Sequence, residues 1–254
     1  MQLAHELIGH SSAPAVVLIH GITENHHTWH PLLHELAASH LVLAVDLRGH
    51  GDSDRSEPYD PLSYASDVVA TAARLGVHDP LVVGHSLGGV VATAFAALAP
   101  CVGVVNVDQP LRLAAFKDGL MQLEPLLTGH RAEFEQAIDM VFAGMIGPLP
   151  AAEAARVHRL RRADQKVVLG TWDGVLHSSV AELDATVAAL AGEVKVPYLS
   201  LHGIDPGPDY APWLTSLIPT ASVEVWPDHG HYPHLVDQPR FLHRVAAFES
   251  SVRG

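Results

Sequence analysis

Six short apolar runs punctuate the chain, at 16–20, 41–46, 81–84, 102–107, 198–202 and 222–226. Each is four to six residues long and mostly apolar, the pattern of a strand buried in a parallel sheet. Helix-like spans at 29–38, 63–75 and 89–97 separate the early runs, and residues 3–8 offer an edge strand. Strand and helix in alternation predict a mostly parallel, doubly wound sheet with helices on both faces.

The alternation stops after Asp108. Between 109 and 195 there are helical patterns and no convincing strand. Phe134, Ile138, Val141, Phe142 and Met145 recur at spacings of three and four, and 181–190 is another helical run; 167–169 is too short to assign. The expected organisation is an α/β core over 1–108 and 196–254, interrupted by a helical cap over 109–195. The apolar stretch 89–107 is interrupted by Pro100 and reads as a buried helix, a turn and a buried strand rather than a membrane span.

Composition narrows the function classes. The net charge of −13 disfavours nucleic-acid and anionic-membrane partners, which leaves a small-molecule substrate as the expected partner. A single cysteine, Cys101, excludes an intrachain disulfide, and residues 1–10 show no signal-peptide pattern, so a cytoplasmic location is expected. Oligomeric state is left open. Of the 19 histidines, His26, His27, His30 and His34 crowd one region. His30 and His34 share a helical face, but only the neighbouring Glu35 offers a further ligand, so the group reads as a solvated helix face and no metal or cofactor is expected.

The candidate chemistry centres on Gly84-His85-Ser86-Leu87-Gly88, a G-x-S-x-G sequence that follows a strand and opens a helix. In that context the serine sits on a sharp turn. Side chains two positions either side would clash, and glycine removes them. Ser86 is thus the expected nucleophile, with the backbone N–H of Leu87 at the helix N-terminus as an oxyanion donor. A second donor is expected from the backbone of Ile22, after His20-Gly21; His20 itself reads as structural. A serine hydroxyl needs a base. The last strand is followed by Asp228-His229-Gly230-His231-Tyr232-Pro233-His234, where Gly230 would let the chain bend and project His231, with His229 and His234 as rivals. For the acid that orients the imidazole, Asp205 after the penultimate strand is preferred. Asp108, after the strand that follows the nucleophile helix, is the second choice, and Asp209 and Asp228 trail both.

These motifs together resemble the α/β-hydrolase fold family over nearly the whole chain. The resemblance rests on His20-Gly21 with Trp29, the 46–53 segment Asp-Leu-Arg-Gly-His-Gly-Asp-Ser, Gly84-His85-Ser86-Leu87-Gly88-Gly89, and Gly230-His231-Tyr232 with Pro239 and Phe241. It implies a metal-free hydrolase with the triad in the order Ser86, Asp205, His231, and it favours His231 as base. Serine at position 86 argues against the aspartate-nucleophile dehalogenases and epoxide hydrolases of the same fold. One departure bears on the acid: Gly203-Ile204-Asp205 is one residue shorter than the family's usual spacing, which keeps Asp108 in contention.

The expected reaction is hydrolysis of a carboxylic ester of a small, largely apolar substrate through an acyl-enzyme. Carbon–carbon hydrolase, lactonase or perhydrolase chemistry on the same triad is the alternative, and a non-catalytic small-molecule receptor is a third reading. Met121, Met140, Met145, Phe116, Phe134, Phe142 and Trp172 are candidate pocket walls. Arg156, Arg159, Arg162 and Lys166, spaced three, three and four apart, suggest either a solvated face or capture of a substrate carboxylate.

Overall fold

The computed structural model describes residues 1–253. Seven strands form one sheet: β1 (His5–Ile8), β2 (Ala15–Ile19), β3 (Leu41–Val45), β4 (Leu81–His85), β5 (Gly103–Val107), β6 (Tyr198–His202) and β7 (Ala221–Val225). Their spatial order is β1-β3-β2-β4-β5-β6-β7, with β1 antiparallel to β3 and every other pair parallel. The expected doubly wound sheet is therefore present, including the edge strand.

The continuous apolar runs reflect burial on both faces. Along β2, Val17 and Ile19 face one core cluster while Val16 and Leu18 face the other; in β3, Leu43 and Val45 oppose Val42 and Ala44 in the same way. One face is covered by α2 (Pro61–Arg74) and α3 (Leu87–Leu98), which bury Tyr64, Val68, Val91 and Phe95. The other is covered by α1 (His30–Ala37) and α11 (Gln238–Arg253), which contribute Leu32, Leu33, Phe241 and Val245. The tract at 89–107 resolves into most of α3, a turn and β5, and no helix among the described residues is long and apolar enough to cross a membrane.

Five helices separate β5 from β6: α4 (Ala114–Leu127), α5 (Arg131–Ala143), α6 (Ala151–Leu160), α7 (Gln165–His177) and α8 (Val180–Gly192). The unassigned 167–169 lies inside α7. Helices α4, α5 and α7 pack together and wall the cavity that opens beyond the carboxyl ends of β4 and β5, but α8 packs on α3 and α9 (Tyr210–Leu217), in the layer that flanks the sheet. The helical stretch is thus continuous in sequence but divided in space. A short α10 (Pro233–Val236) precedes α11, and its Leu235, with Tyr232, packs on Leu149 and Val157 of the α6 region.

The chain runs from β2 to β3 on one side and then crosses back to β4 on the other. The crevice outside the carboxyl ends of β2 and β4 is the topological switch point, where ligands bind in open α/β sheets.

Candidate active site

The β4–α3 turn carries Ser86 at φ 53, ψ −125, a left-handed conformation that non-glycine residues rarely adopt. Its flanking glycines are required by contact. A Cβ on Gly84 would lie 1.9 Å from the Gly88 carbonyl oxygen, and one on Gly88 would lie 2.2 Å from that of Ile19. The tight turn is anchored by Ser86 N–H donating to Val107 O at 3.0 Å and Gly89 N–H donating to Ser86 O at 2.7 Å. Ser86 is only partly buried and opens into a cavity of about 550 Å³ that His231 also lines.

His231 is held through one ring nitrogen and through its backbone carbonyl. Its Nδ1 donates to Asp108 Oδ2 at 2.6 Å, which assigns the remaining ring nitrogen, Nε2, as the acceptor of a neutral imidazole. Asp108 is 3% exposed, and its other oxygen accepts the N–H groups of Gly203 (2.7 Å) and Ile204 (3.0 Å). Burial pushes the Asp108 carboxyl up, but the His231 hydrogen bond and charge and the Ile204 amide outweigh it, so its pKa lies below the usual range. Burial pulls the His231 pKa below 6.5, against the opposing pull of Asp108.

The preferred acid, Asp205, is corrected by this geometry. Its carboxylate is exposed, accepts the Gly207 N–H at 2.8 Å and stands at the cavity rim. The shortened Gly203-Ile204-Asp205 segment presents its backbone amides, not its carboxylate, to the site. Asp108 occupies the inner position because it ends β5, between β4 and β6, and turns inward at φ 51. Asp209 and Asp228 are exposed. Among the histidines, His229 bonds Pro227 O, while His234 is fully buried between the rings of Trp29 and His85 with neither ring nitrogen hydrogen-bonded. Burial holds His234 far below 6.5, as a neutral aromatic filler.

The two expected oxyanion donors lie on segments that touch. A Cβ on Gly21 would stand 3.2 Å from Ser86 Cβ, so the loop bearing Ile22 abuts the elbow bearing Leu87. Ile22 and Leu87 both line the cavity, and neither amide has a hydrogen-bond acceptor among the described residues. His20 is structural, as expected: Nε2 accepts the Leu47 N–H at 3.0 Å and Nδ1 donates to Gly21 O at 2.7 Å.

The cavity wall is mostly apolar. Phe116, Phe142, Met145 and Trp172 line it, but Met121 and Met140 are exposed and Phe134 is buried in the core away from it. The basic residues do not share one helical face, and the structure gives no support to their capturing a substrate carboxylate. Helix α6 ends at Leu160, so Arg162 and Lys166 lie beyond the helical face that their spacing assumed. Arg156 pairs with Glu153, Lys166 pairs with Glu57, and none of the four lines the cavity. The cation that does line it is Arg112, just after the β5 turn.

Sequence reasoning did not find Glu24. It is 2% exposed, accepts the Tyr232 hydroxyl at 2.7 Å and the Gly21 N–H at 3.3 Å, and faces His85 Nδ1 at 3.6 Å. Burial would raise its pKa, but His85, Tyr232 and Arg161 hold the carboxyl well below the usual range. Glu24 thereby joins the loop bearing Ile22 to the residue following His231. His85 completes the brace by donating from Nε2 to the His231 carbonyl at 2.8 Å. The only sequence signal was an acidic residue two positions after Ile22, unremarkable until its burial is known.

A family profile described as "Alpha/beta hydrolase family" matches residues 16–245. The chain is 32% identical over 151 residues to the 2-(acetamidomethylene)succinate hydrolase of Mesorhizobium japonicum, covering 58% of this chain and 53% of that protein. Among solved structures, the enol-lactonase from Burkholderia xenovorans LB400 superposes with a TM-score of 0.79 at 19% identity, covering 98% of this chain and 96% of that one. The esterase RhEst1 from Rhodococcus superposes with a TM-score of 0.74 at 25% identity, over 98% of this chain and 95% of that one.

Proposed function

The chain belongs to the alpha/beta hydrolase family, and from that premise we propose that it is a serine hydrolase acting on a carboxylic ester of a small, largely apolar acyl substrate. The observation that carries the reading is the opening of Ser86, on its strained elbow, into the same apolar cavity as an Asp108-held His231.

In this mechanism His231 Nε2 takes the Ser86 proton as Oγ attacks the carbonyl carbon. The Ile22 and Leu87 amides receive the oxyanion, each donor contributing on the order of 10²–10³ in rate. Collapse of the tetrahedral species breaks the bond to the leaving alkoxide, which takes the proton from His231. Water, deprotonated by His231, then attacks the acyl-enzyme, and as the acyl bond to Ser86 Oγ breaks the acid leaves and Oγ takes the proton back from His231. Asp108 holds the imidazole in the required tautomer and stabilises the imidazolium.

Arg112 favours a second reading of substrate class. Its guanidinium, 4.8 Å over the Trp213 ring, brings an exposed cation to the mouth of a mostly apolar cavity and suits an acyl substrate that also bears a carboxylate. A similar protein, the Mesorhizobium japonicum succinate-derivative hydrolase, agrees with that choice in its name.

The test is hydrolysis of p-nitrophenyl acetate, butyrate and octanoate, and of a p-nitrophenyl half-ester, by the wild type and Ser86→Ala, with fluorophosphonate labelling in parallel. Turnover and single labelling, both lost in Ser86→Ala, are expected. Labelling without turnover of any ester would shift the reading to lactone or carbon–carbon substrates or to a receptor; absence of both would overturn the serine mechanism. A preference for the half-ester that Arg112→Ala abolishes through KM selects the second reading.

A further inference from the structure

Four side chains converge outside the cavity, where β1 meets the turn after β2. Glu6 comes from β1, His26 and His27 from a short 3-10 turn (His26–Trp29), and His30 from the first turn of α1. One potential ligand atom from each lies within 4.8 Å of all the others. His30 Nε2 is 2.9 Å from His27 Nδ1 and 3.0 Å from Glu6 Oε2. His34, which the sequence pattern joined to His30, is not part of the group. It lies one turn further along α1, and the partners come from the preceding turn and a distant strand.

From this arrangement we propose that Glu6, His26, His27 and His30 form a binding site for one divalent transition cation of the Zn²⁺ type. A tetrahedron with metal–nitrogen bonds of about 2.05 Å sets its ligand atoms about 3.3 Å apart. The two short edges of the cluster lie a few tenths of an ångström inside that spacing and the other edges are at most 4.8 Å, so ligation requires the side chains to adjust. Three imidazoles and one carboxylate suit Zn²⁺, and Co²⁺ as its spectroscopic substitute, better than Mg²⁺ or Ca²⁺, which favour all-oxygen shells of six or more.

A supporting partner is already in place. His26 Nδ1 bonds Asp46 Oδ1 at 2.7 Å, which leaves Nε2 for the metal; this carboxylate–imidazole arrangement is the usual support of a metal-ligating histidine. Asp46 is itself locked by accepting the backbone N–H groups of His26 (2.7 Å) and Asp52 (2.9 Å). The turn is pinned from outside by Arg156, which donates to His27 O at 2.8 Å and Thr28 O at 3.0 Å. Four protein ligands close the coordination shell, so the site is structural rather than catalytic. A bound ion would staple the edge strand to the segment that follows Ile22.

The experiment is titration of the metal-stripped, untagged full chain with Co²⁺, followed by visible absorption, and with Zn²⁺, followed by calorimetry and thermal unfolding. Expected are the intense visible bands of tetrahedral Co²⁺, one equivalent bound, and a Tm rise of about 5 °C or more at a hundredfold excess over Kd. His27→Gln with His30→Gln should weaken binding at least a hundredfold, while His34→Gln and Ser86→Ala leave it unchanged. Glu6→Gln, on an edge strand, decides the matter if the double variant loses its fold, because it should weaken binding at least tenfold. Absence of tetrahedral Co²⁺ bands, or binding unaltered in the cluster variants, would overturn the site. Esterase activity is not a readout, so either outcome is independent of the serine-hydrolase reading.

Discussion

Asp108 and His231 meet at 2.6 Å although they are 123 positions apart in the chain. The contact forms because β5 ends in a left-handed turn that directs a buried carboxylate across the end of β6 toward the loop after β7. The carboxylate that follows the penultimate strand, Asp205, is outside at the rim.

The first prediction separates these two acids. Asp108→Asn should lower kcat by about 10⁴-fold at neutral pH, because the amide no longer selects the imidazole tautomer that accepts the serine proton. Asp205→Asn should retain activity within about threefold, since among the described residues its carboxylate accepts only the local Gly207 N–H. Steady-state kinetics of both variants on the same ester decide the assignment.

A second prediction concerns pH. The base must be neutral, so kcat/KM should rise with pH through the free-enzyme pKa of His231 and level off above it. Burial depresses that pKa, which sets the midpoint of the acid limb below 6.5. Asp108 opposes the depression, so the residual activity of Asp108→Asn should show a limb displaced to still lower pH. A displacement toward higher pH would contradict the assigned contact.

Stability should depend on pH through buried neutral histidines. Burial lowers His50 to about 3 and His202 to about 4 from an ordinary 6.5. Below about pH 6.5 the unfolded chain protonates both while the folded protein does not. Each then removes about 1.4 kcal/mol of stability per pH unit until its folded pKa is reached. His26 and His40 are raised instead: burial lowers His26, but the hydrogen bond and charge of Asp46 prevail, and the Glu249 hydrogen bond raises His40. Their contribution is full below 6.5 and is lost as pH rises through their folded values. Urea denaturation at pH 7, 6 and 5 should therefore show the steepest loss between 6 and 5, before most carboxylates titrate.

The nucleophile elbow should tolerate no methyl group. Gly88→Ala would set a Cβ 2.2 Å from the Ile19 carbonyl oxygen, backbone against backbone in a core strand. A loss of about 3 kcal/mol or more is expected, with activity falling further because α3 must withdraw from β2. Gly76→Ala is the contrasting variant. Its Cβ would meet nothing within 4 Å, so its cost is only that of an alanine at φ 71. Denaturant midpoints of the two variants give the comparison.

The chain's local patterns were enough for the sheet, since the central five-residue runs, buried on both faces, are mostly apolar and turn residues follow them. They were enough for Ser86 and its elbow as well, because the steric need for Gly84 and Gly88 is local. Choosing among acids, arginines and metal ligands was different in kind. Asp108 and Asp205 each follow a strand, and only the direction of a single turn separates a buried carboxylate from an exposed one. Arg156, Arg159, Arg162 and Lys166 have helical spacing, but the helix ends at Leu160. Glu24 and Glu6 acquire their surroundings from residues far away in sequence. Periodicity reports which face of an element is buried; the meeting of side chains from different elements depends on where each loop turns and on what packs behind it, and the tertiary structure decided that.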